Sequence, residues 1–223
     1  MEKMLMSTAA LVGMTQPSAT TGCYTANELI AYTARVSNPD NQNSPKTASK
    51  LLGYLIKHEH WSPFEMVSVT IEITTTRDIS RQILRHRSFS FQEFSQRYAK
   101  STNFETRECR LQDEKNRQNS IDTEDRELAE SWNMAQKTVI NAANDVYEWA
   151  LENGIAKEQA RAVLPEGNTE TTLYMSGTLR SWLHYCKLRM SNGTQKEHIE
   201  VAEQCWNVIS HHFPDVAKAV EEL

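Results

Sequence analysis

The stretch "MVSVTIEITTT", residues 66–76, decides the reading of the fold, because Val67, Val69, Ile71 and Ile73 alternate with Ser68, Thr70, Glu72 and Thr74. Successive side chains on a strand point to opposite faces, so this period of two gives one apolar face and one polar face. A half-buried strand of this kind needs cover on its apolar side. Upstream, apolar residues at helical spacing in "ANELIAYTARVS" (Leu29, Ile30, Ala34) and "KTASKLLGYLIKH" (Leu51, Leu52, Leu55, Ile56) predict two amphipathic helices on either side of the turn-rich "NPDNQNSP". Downstream, residues 77–85 return to helical spacing, 88–98 read as a loop or short extended segment, and the polar span 100–122 reads as a mobile surface excursion. From Thr123 to Glu152 helix formers run almost unbroken, with Leu128, Trp132, Ala135, Val139, Ala142, Val146 and Trp149 as the inward stripe and Asn153-Gly154 as the stop. "IAKEQARAVLP" predicts a short helix closed before Pro165, "TTLYMSGT" a strand, and "LRSWLHYCKLRM" and "QKEHIEVAEQCWNVISHHF" two further helices.

With no repeat, no low-complexity linker and no second core, the expectation is an α+β fold: a small, mostly antiparallel sheet covered by several helices, one of them long, in a single domain spanning 1–223. Hydrophobic residues make up 39% and charged residues 24% of the chain, which suits a globular protein, and no apolar run is long enough to span a bilayer. The start, "MEKMLMSTAALVGM", is a poor signal peptide and equally suits a first strand, so a soluble, cytoplasmic protein without a membrane partner is expected. Cys23, Cys109, Cys186 and Cys205 are widely spread and lack the spacing of a zinc site; they read as buried or idle thiols, and no metal is expected.

A formal charge of −5 argues against binding nucleic acid through phosphate neutralisation. Yet residues 77–110 carry eight Lys/Arg against four Asp/Glu, and a locally basic site in an acidic protein suits small anionic ligands. Arginine is a planar, permanently charged partner for phosphate, which makes Arg85, Arg87 and Arg97 candidate ligands of one. The competing reading is a solvated basic face laced with ion pairs. Against it stands the company these arginines keep: Phe89, Phe91, Phe94 and Tyr98 interleave with Ser88, Ser90, Ser95, Gln92 and Gln96. Aromatic rings, hydrogen-bonding groups and arginines together suit a stacked, phosphorylated heterocycle.

"RHRSFSFQEFSQR", with Arg85-His86-Arg87, seven residues, Ser95, one residue and Arg97, resembles the RHR, x7, S, x, R signature of the flavin-dependent thymidylate synthases. "ARVS" (34–37), "HWSPFE" (60–65), Gln82, "ARAVLP" (160–165) and "LRSWLHYCKLR" (179–189) extend the similarity, in order, over most of the chain. The resemblance implies a dUMP methylase that uses FAD, with 5,10-methylenetetrahydrofolate as carbon donor and NADPH as reductant, working as a homotetramer whose sites are shared between subunits. No cysteine follows a proline, so the Pro-Cys nucleophile of the cysteine-dependent synthases is missing. GxGxxG is absent too, and a dinucleotide would be held by arginine, histidine and serine side chains.

The resemblance implies that FAD is faced by Ser62, Arg85, His86, Arg87, Ser88, Thr178, Leu179, Arg180 and His184, with Glu93 near it as well. It implies that dUMP is lined by Gln82, Ile83, Leu84, Arg85, Glu93, Phe94, Ser95, Gln96, Arg97, Arg161 and Arg189. The resemblance also implies that Arg189 carries the catalytic role, its charge favouring ionisation of uracil N3 and so activating C5. Arg180 and His184 are four residues apart and share a helix face, whereas Arg189 falls about half a turn away from Arg180, so one helix can reach two ligands. His60 and His86 are read either as ligand-facing or as hydrogen-bonded structural histidines. Ser95 is read as a hydrogen-bond donor to substrate, since a nucleophilic serine needs a positioned base. The chain departs from the family pattern at "MSNGTQKE", which puts Gly193 where members commonly carry a flavin-facing histidine, with His198 as the candidate replacement. The segment "EGNTETT" is one residue longer than usual. Rival readings are a related C5 pyrimidine-nucleotide one-carbon transferase, for example a hydroxymethylating one, and a non-catalytic flavin or nucleic-acid binding module.

Overall fold

A computed structural model describes residues 7–101 and 103–222. The chain runs β1 (Thr8–Met14), α1 (Ala26–Ala34), α2 (Ala48–Lys57), β2 (Ser68–Thr76), α3 (Arg77–Ile83), β3 (Phe89–Glu93), β4 (Arg110–Gln112) and β5 (Ser120–Asp122). It continues through α4 (Arg126–Glu152), α5 (Lys157–Ala160), β6 (Glu170–Thr178), α6 (Leu179–Arg189), α7 (Lys196–His212) and α8 (Pro214–Glu221). The class is α+β, as expected. The opening of the chain does supply a first strand, although residues 1–6 of the stretch read that way lie outside the described residues. No helix among the described residues is long and apolar enough to cross a membrane.

The main sheet has strand order β1-β2-β6-β3 and is antiparallel throughout. Val69, Ile71 and Ile73 of β2 stand opposite Gly177, Met175 and Leu173 of β6, and all but the glycine are buried. Helices bury this apolar face. Trp182, Leu183 and Cys186 of α6, Val201, Ala202, Cys205 and Ile209 of α7, and Leu52, Leu55 and Ile56 of α2 join it in one core, closed by Phe64, Phe213 and Val216. The opposite face keeps its polar alternation: Thr70 Oγ1 donates to Ser176 Oγ (2.8 Å), and Thr74 and Thr172 hydroxyls meet at 3.3 Å. Each long strand runs straight into a helix, β2 into α3 and β6 into α6. Because the strands are antiparallel, the two helices start at opposite ends of the sheet, and β3 runs between those ends along the edge.

Three expectations are corrected. The span 100–122 is a structured excursion: β4 and β5 form a hairpin, and Gln136 of α4 clasps the Arg107 backbone from both sides, accepting from its N–H (2.7 Å) and donating to its carbonyl (2.9 Å). Two of its arginines find carboxylates, Arg107 on Asp78 and Arg110 on Glu197, so polarity here partly reflects ion pairing with the rest of the fold. The α4 stripe does not face inward. Leu128, Trp132, Ala135, Val139, Ala142, Val146 and Trp149 are all exposed, Trp149 by 58% and Val139 by 56%. The periodicity is real, but α4 meets this chain away from the stripe: Gln136 is buried against the Arg107 backbone, and Tyr147 and Ala150 form a separate small cluster with Ala160, so there is a second, minor core. A further helix, α8, follows Phe213, with Pro214 in its first turn, where a missing N–H costs nothing; the expected helices end before that proline.

Candidate active site

At one end of the sheet, where β3 finishes, Glu93 is held by two elements. Its Oε1 accepts from Ser80 Oγ of α3 (2.9 Å) and Thr171 Oγ1 of β6 (3.1 Å), with the buried Arg77 guanidinium 3.7 Å away. Burial lowers the Arg77 pKa, a shift that Glu93 opposes. Just beyond, Arg97 Nε donates to Glu158 Oε2 (3.2 Å), and Arg161 Nε donates to the Glu158 backbone carbonyl (3.3 Å). Both arginines thus contact Glu158 of α5, Arg97 through its carboxylate and Arg161 through its backbone carbonyl. Ser95 Oγ accepts from the Arg97 backbone N–H at 3.4 Å, and no histidine is hydrogen-bonded to it among the described residues.

At the other end, the start of α6 faces the 3-10 turn Ser62–Met66. Arg180 pairs with Glu65, and the His184 ring meets the Trp61 ring edge-on at 4.8 Å. Thr178 caps α6 through the Ser181 N–H, and Ser181 Oγ donates to the Ser88 carbonyl (3.3 Å). Ser62, Arg85, Arg87, Ser88 and His184 are exposed here, and among the described residues Arg85 and Arg87 have no carboxylate within ion-pair distance. The close fit of Phe89 secures this corner: a Cβ on Gly177 would lie 2.4 Å from the Phe89 ring, which packs edge-on against Trp182.

The far end of α6 reaches the residues ahead of β3. Arg189 Nε donates to His86 Nε2 (2.9 Å), so the proton of the neutral imidazole sits on Nδ1. Burial, then Arg189, then Arg85 hold the His86 pKa down to about 4. As the helix geometry requires, Arg180 and His184 lie toward Glu65 and Trp61 while Arg189 lies toward His86. The Ile83 and Leu179 side chains are fully buried in the core, so only their backbone can face a ligand, and Gln96 is also buried. Leu84 caps α3 and Phe94 is 37% exposed beside Glu93. His60 is exposed with its ring 6.1 Å from that of Tyr54.

His198 does not replace the missing histidine: it is fully buried, with Nδ1 3.3 Å from Gln82 Oε1 and Nε2 3.1 Å from Tyr185 Oη, which leaves neither nitrogen for a flavin. Gly193 has φ +90°, a conformation in which a histidine would be strained. Sequence reasoning passes over Arg77, Ser80, Thr171, Tyr185 and Gln195. The signals for them are weak, since single polar residues in strands and helices have many ordinary roles. A cavity of about 960 Å³ is lined by Glu105, Lys137, Lys196 and Glu200, and one of about 560 Å³ by Arg107, Arg110 and Trp132. Neither takes in the signature residues, of which Arg85, Arg87 and Arg97 are exposed and His86 and Ser95 half-buried.

Comparison with known proteins decides the family, since the thymidylate synthase complementing proteins match residues 21–215. The chain belongs to this family. A probable flavin-dependent thymidylate synthase of Paramecium bursaria Chlorella virus 1 is 52% identical over 96% of this chain and 98% of its own. A flavin-dependent thymidylate synthase of Synechocystis sp. is 54% identical over 86% of this chain and 88% of its own. Among solved structures, a UMP/dUMP methylase, PolB, of Streptomyces cacaoi, bound with 5-bromo-dUMP, superposes with a TM-score of 0.81 at 26% identity, covering 97% of this chain and 95% of that one. The family's signature therefore sits at β3: its RHR portion precedes the strand and its S-x-R portion follows it, separated by a strand about 14 Å long.

Proposed function

We propose that this member of the family is a flavin-dependent thymidylate synthase, converting dUMP to dTMP with 5,10-methylenetetrahydrofolate as carbon donor and NADPH as reductant. The similarity of more than 50% identity along nearly the whole of both chains carries the reading. The site geometry supports it from the other direction. Glu93, Ser95, Arg97, Arg161 and Gln82 form the nucleotide end, with Arg97 and Arg161 as the phosphate pair and the Ile83, Leu84, Phe94 and Gln96 backbone completing the wall. Ser62, Arg85, His86, Arg87, Ser88, Thr178, Leu179, Arg180 and His184 form the flavin end. Unpaired arginines beside serine and threonine hydroxyls fit the diphosphate of FAD. When bound, FAD supplies the hydride that reduces the transferred methylene to a methyl group.

Arg189 is the catalytic residue. Its Nε is committed to neutral His86, which fixes the guanidinium plane and leaves both terminal nitrogens for uracil. Among the described residues no carboxylate pairs with it, so its full charge is available to stabilise the anion that forms as uracil N3 ionises and C5 becomes nucleophilic. His86 stays neutral because it is buried and two arginines flank it, which preserves it as an acceptor.

We propose a homotetramer with shared sites, in a single functional unit that works in the cytoplasm. The exposed α4 stripe supports this: its residues are alternately four and three apart, the seam of a coiled coil, and such a seam is buried by a second helix of the same kind. The openness of the flavin end agrees, since a dry site requires another surface to close it. The test is the product: incubation with dUMP, methylenetetrahydrofolate and NADPH should give dTMP, heavier than dUMP by one methylene. A hydroxymethyl product, or a colourless protein that cannot be loaded with FAD, would overturn the reading.

A further inference from the structure

We propose that His198 is a positioning residue for the nucleotide site, fixing with Tyr185 and Gln195 the carboxamide of Gln82 so that it presents one N–H to an acceptor oxygen of the nucleotide. The inference rests on the proposed function, which places Gln82 against dUMP; the role of His198 is additional to it.

Glu197 Oε1 takes the Arg110 guanidinium, and Glu197 Oε2 lies 2.9 Å from Gln195 Nε2. An ionised carboxylate only accepts hydrogen bonds, so Gln195 must turn its nitrogen toward Glu197 and its oxygen away. That oxygen meets Gln82 Nε2 at 2.7 Å, and only the donor end of Gln82 can face it. Gln82 Oε1 then faces His198 Nδ1 at 3.3 Å, so the His198 proton must sit on Nδ1. His198 Nε2 is left with a lone pair, which the Tyr185 hydroxyl fills at 3.1 Å. Every donor and acceptor in the chain follows from the charge on Glu197. The chain needs His198 neutral, and burial together with Arg189 and His86 holds its pKa down to about 3.

Gln82 sits on α3, one turn before His86, and Tyr185 packs edge-on against the His86 ring at 4.9 Å. The same buried chain therefore borders the Arg189–His86 pair. With both ends of its amide occupied, Gln82 has one N–H and one lone pair of fixed direction to offer. A carboxamide held in this way need not be ordered when nucleotide binds, and it cannot flip to present its oxygen instead.

The test measures dUMP affinity on the FAD-loaded protein by calorimetry, together with flavin content and steady-state kinetics. Asparagine places an N–H where His198 has Nδ1, whereas glutamine and leucine do not. His198→Leu and His198→Gln should weaken dUMP binding roughly tenfold, the worth of one good hydrogen bond, and raise KM with a smaller change in kcat. His198→Asn should stay within about threefold of the parent. Tyr185→Phe removes one hydroxyl and keeps the ring, so it tests the chain even where His198→Leu fails to fold; a several-fold loss of dUMP affinity at unchanged flavin content is expected. The inference is overturned if the leucine, glutamine and phenylalanine variants bind dUMP as the parent does, or if asparagine falls with glutamine. Gln82→Ala separates the two levels: when it weakens dUMP while the His198 variants do not, only the positioning role fails, and when it binds dUMP normally, the placement of Gln82 fails along with it.

Discussion

At the scale of single residues, the account depends on how a few side chains are held. Arg189→Ala removes the charge proposed to stabilise the uracil anion, and turnover should fall roughly 100- to 1000-fold while bound flavin stays near the parental level. Steady-state kinetics with a flavin absorbance reading checks this, and a loss within a few-fold would remove Arg189 from the chemistry. Gly177→Ala should destabilise the protein by about 1–3 kcal/mol in denaturant unfolding, because its Cβ meets the Phe89 ring and the ring is itself wedged against Trp182. Histidines set the acid limit. His86 and His198 are held down to about 4 and about 3 in the folded protein, against an ordinary value of 6.5. As pH falls through 6.5 the unfolded chain gains protons that the folded chain refuses, so stability declines until about pH 4 for His86 and pH 3 for His198. Glu105 works in the opposite sense: burial raises it from 4.5 to about 7, and its contribution is lost as pH rises through that range. Thermal midpoints should therefore rise at pH about 8 in Glu105→Gln and change little near pH 4.5, where the parent's Glu105 is protonated in the folded state. A variant that gains nothing at the higher pH would contradict the sign.

At the scale of elements, the parts of the sequence with an unambiguous period were legible. Val69, Ile71 and Ile73 announced β2 because a helix cannot place every second residue on one face, and the core contains all three. The helices at 26–34, 48–57, 179–189 and 196–212 followed from apolar spacing by the same geometry. The α4 stripe shows the limit of that method: periodicity reveals which face is apolar, and nothing in one chain's pattern says whether the cover comes from the same chain or another. The hairpin within 100–122 was hidden because its order comes from partners far away in sequence, Gln136 and Glu197, and not from local propensity. Residue type alone pointed to Arg97 as a candidate phosphate ligand and the family resemblance added Arg161, whereas neutral amides or hydroxyls that act as supports, such as Ser80, Thr171 and Gln195, gave no signal. The end of α2 carries a separate signature. Glu59 adopts φ +56° while the His60 N–H reaches back to the Leu55 carbonyl at 2.8 Å, a helix stop that favours glycine. Glu59→Gly should raise stability by about 1 kcal/mol in denaturant titration, and a loss would show that the Glu59 side chain has a role of its own.

At the scale of the whole molecule, the proposed assembly and the proposed chemistry depend on each other. Ser62, Arg85, Arg87, Ser88 and His184 at the proposed flavin end are exposed in the single chain, and the apolar seam of α4 extends over a helix about 40 Å long. Replacing Val146 and Trp149 together by glutamate should dissociate the assembly, as read by light scattering after gel filtration, and activity should fall with it because no single chain closes the site. An active monomer would separate the seam from the chemistry. The most direct test of the central claim is release of tritium from dUMP labelled at C5, since methylation must displace that hydrogen. The account predicts tritium in water only when methylenetetrahydrofolate, NADPH and FAD-loaded protein are all present, with dTMP formed in equal amount and both lost in Arg189→Ala. No release under those conditions, or release without dTMP, would contradict it.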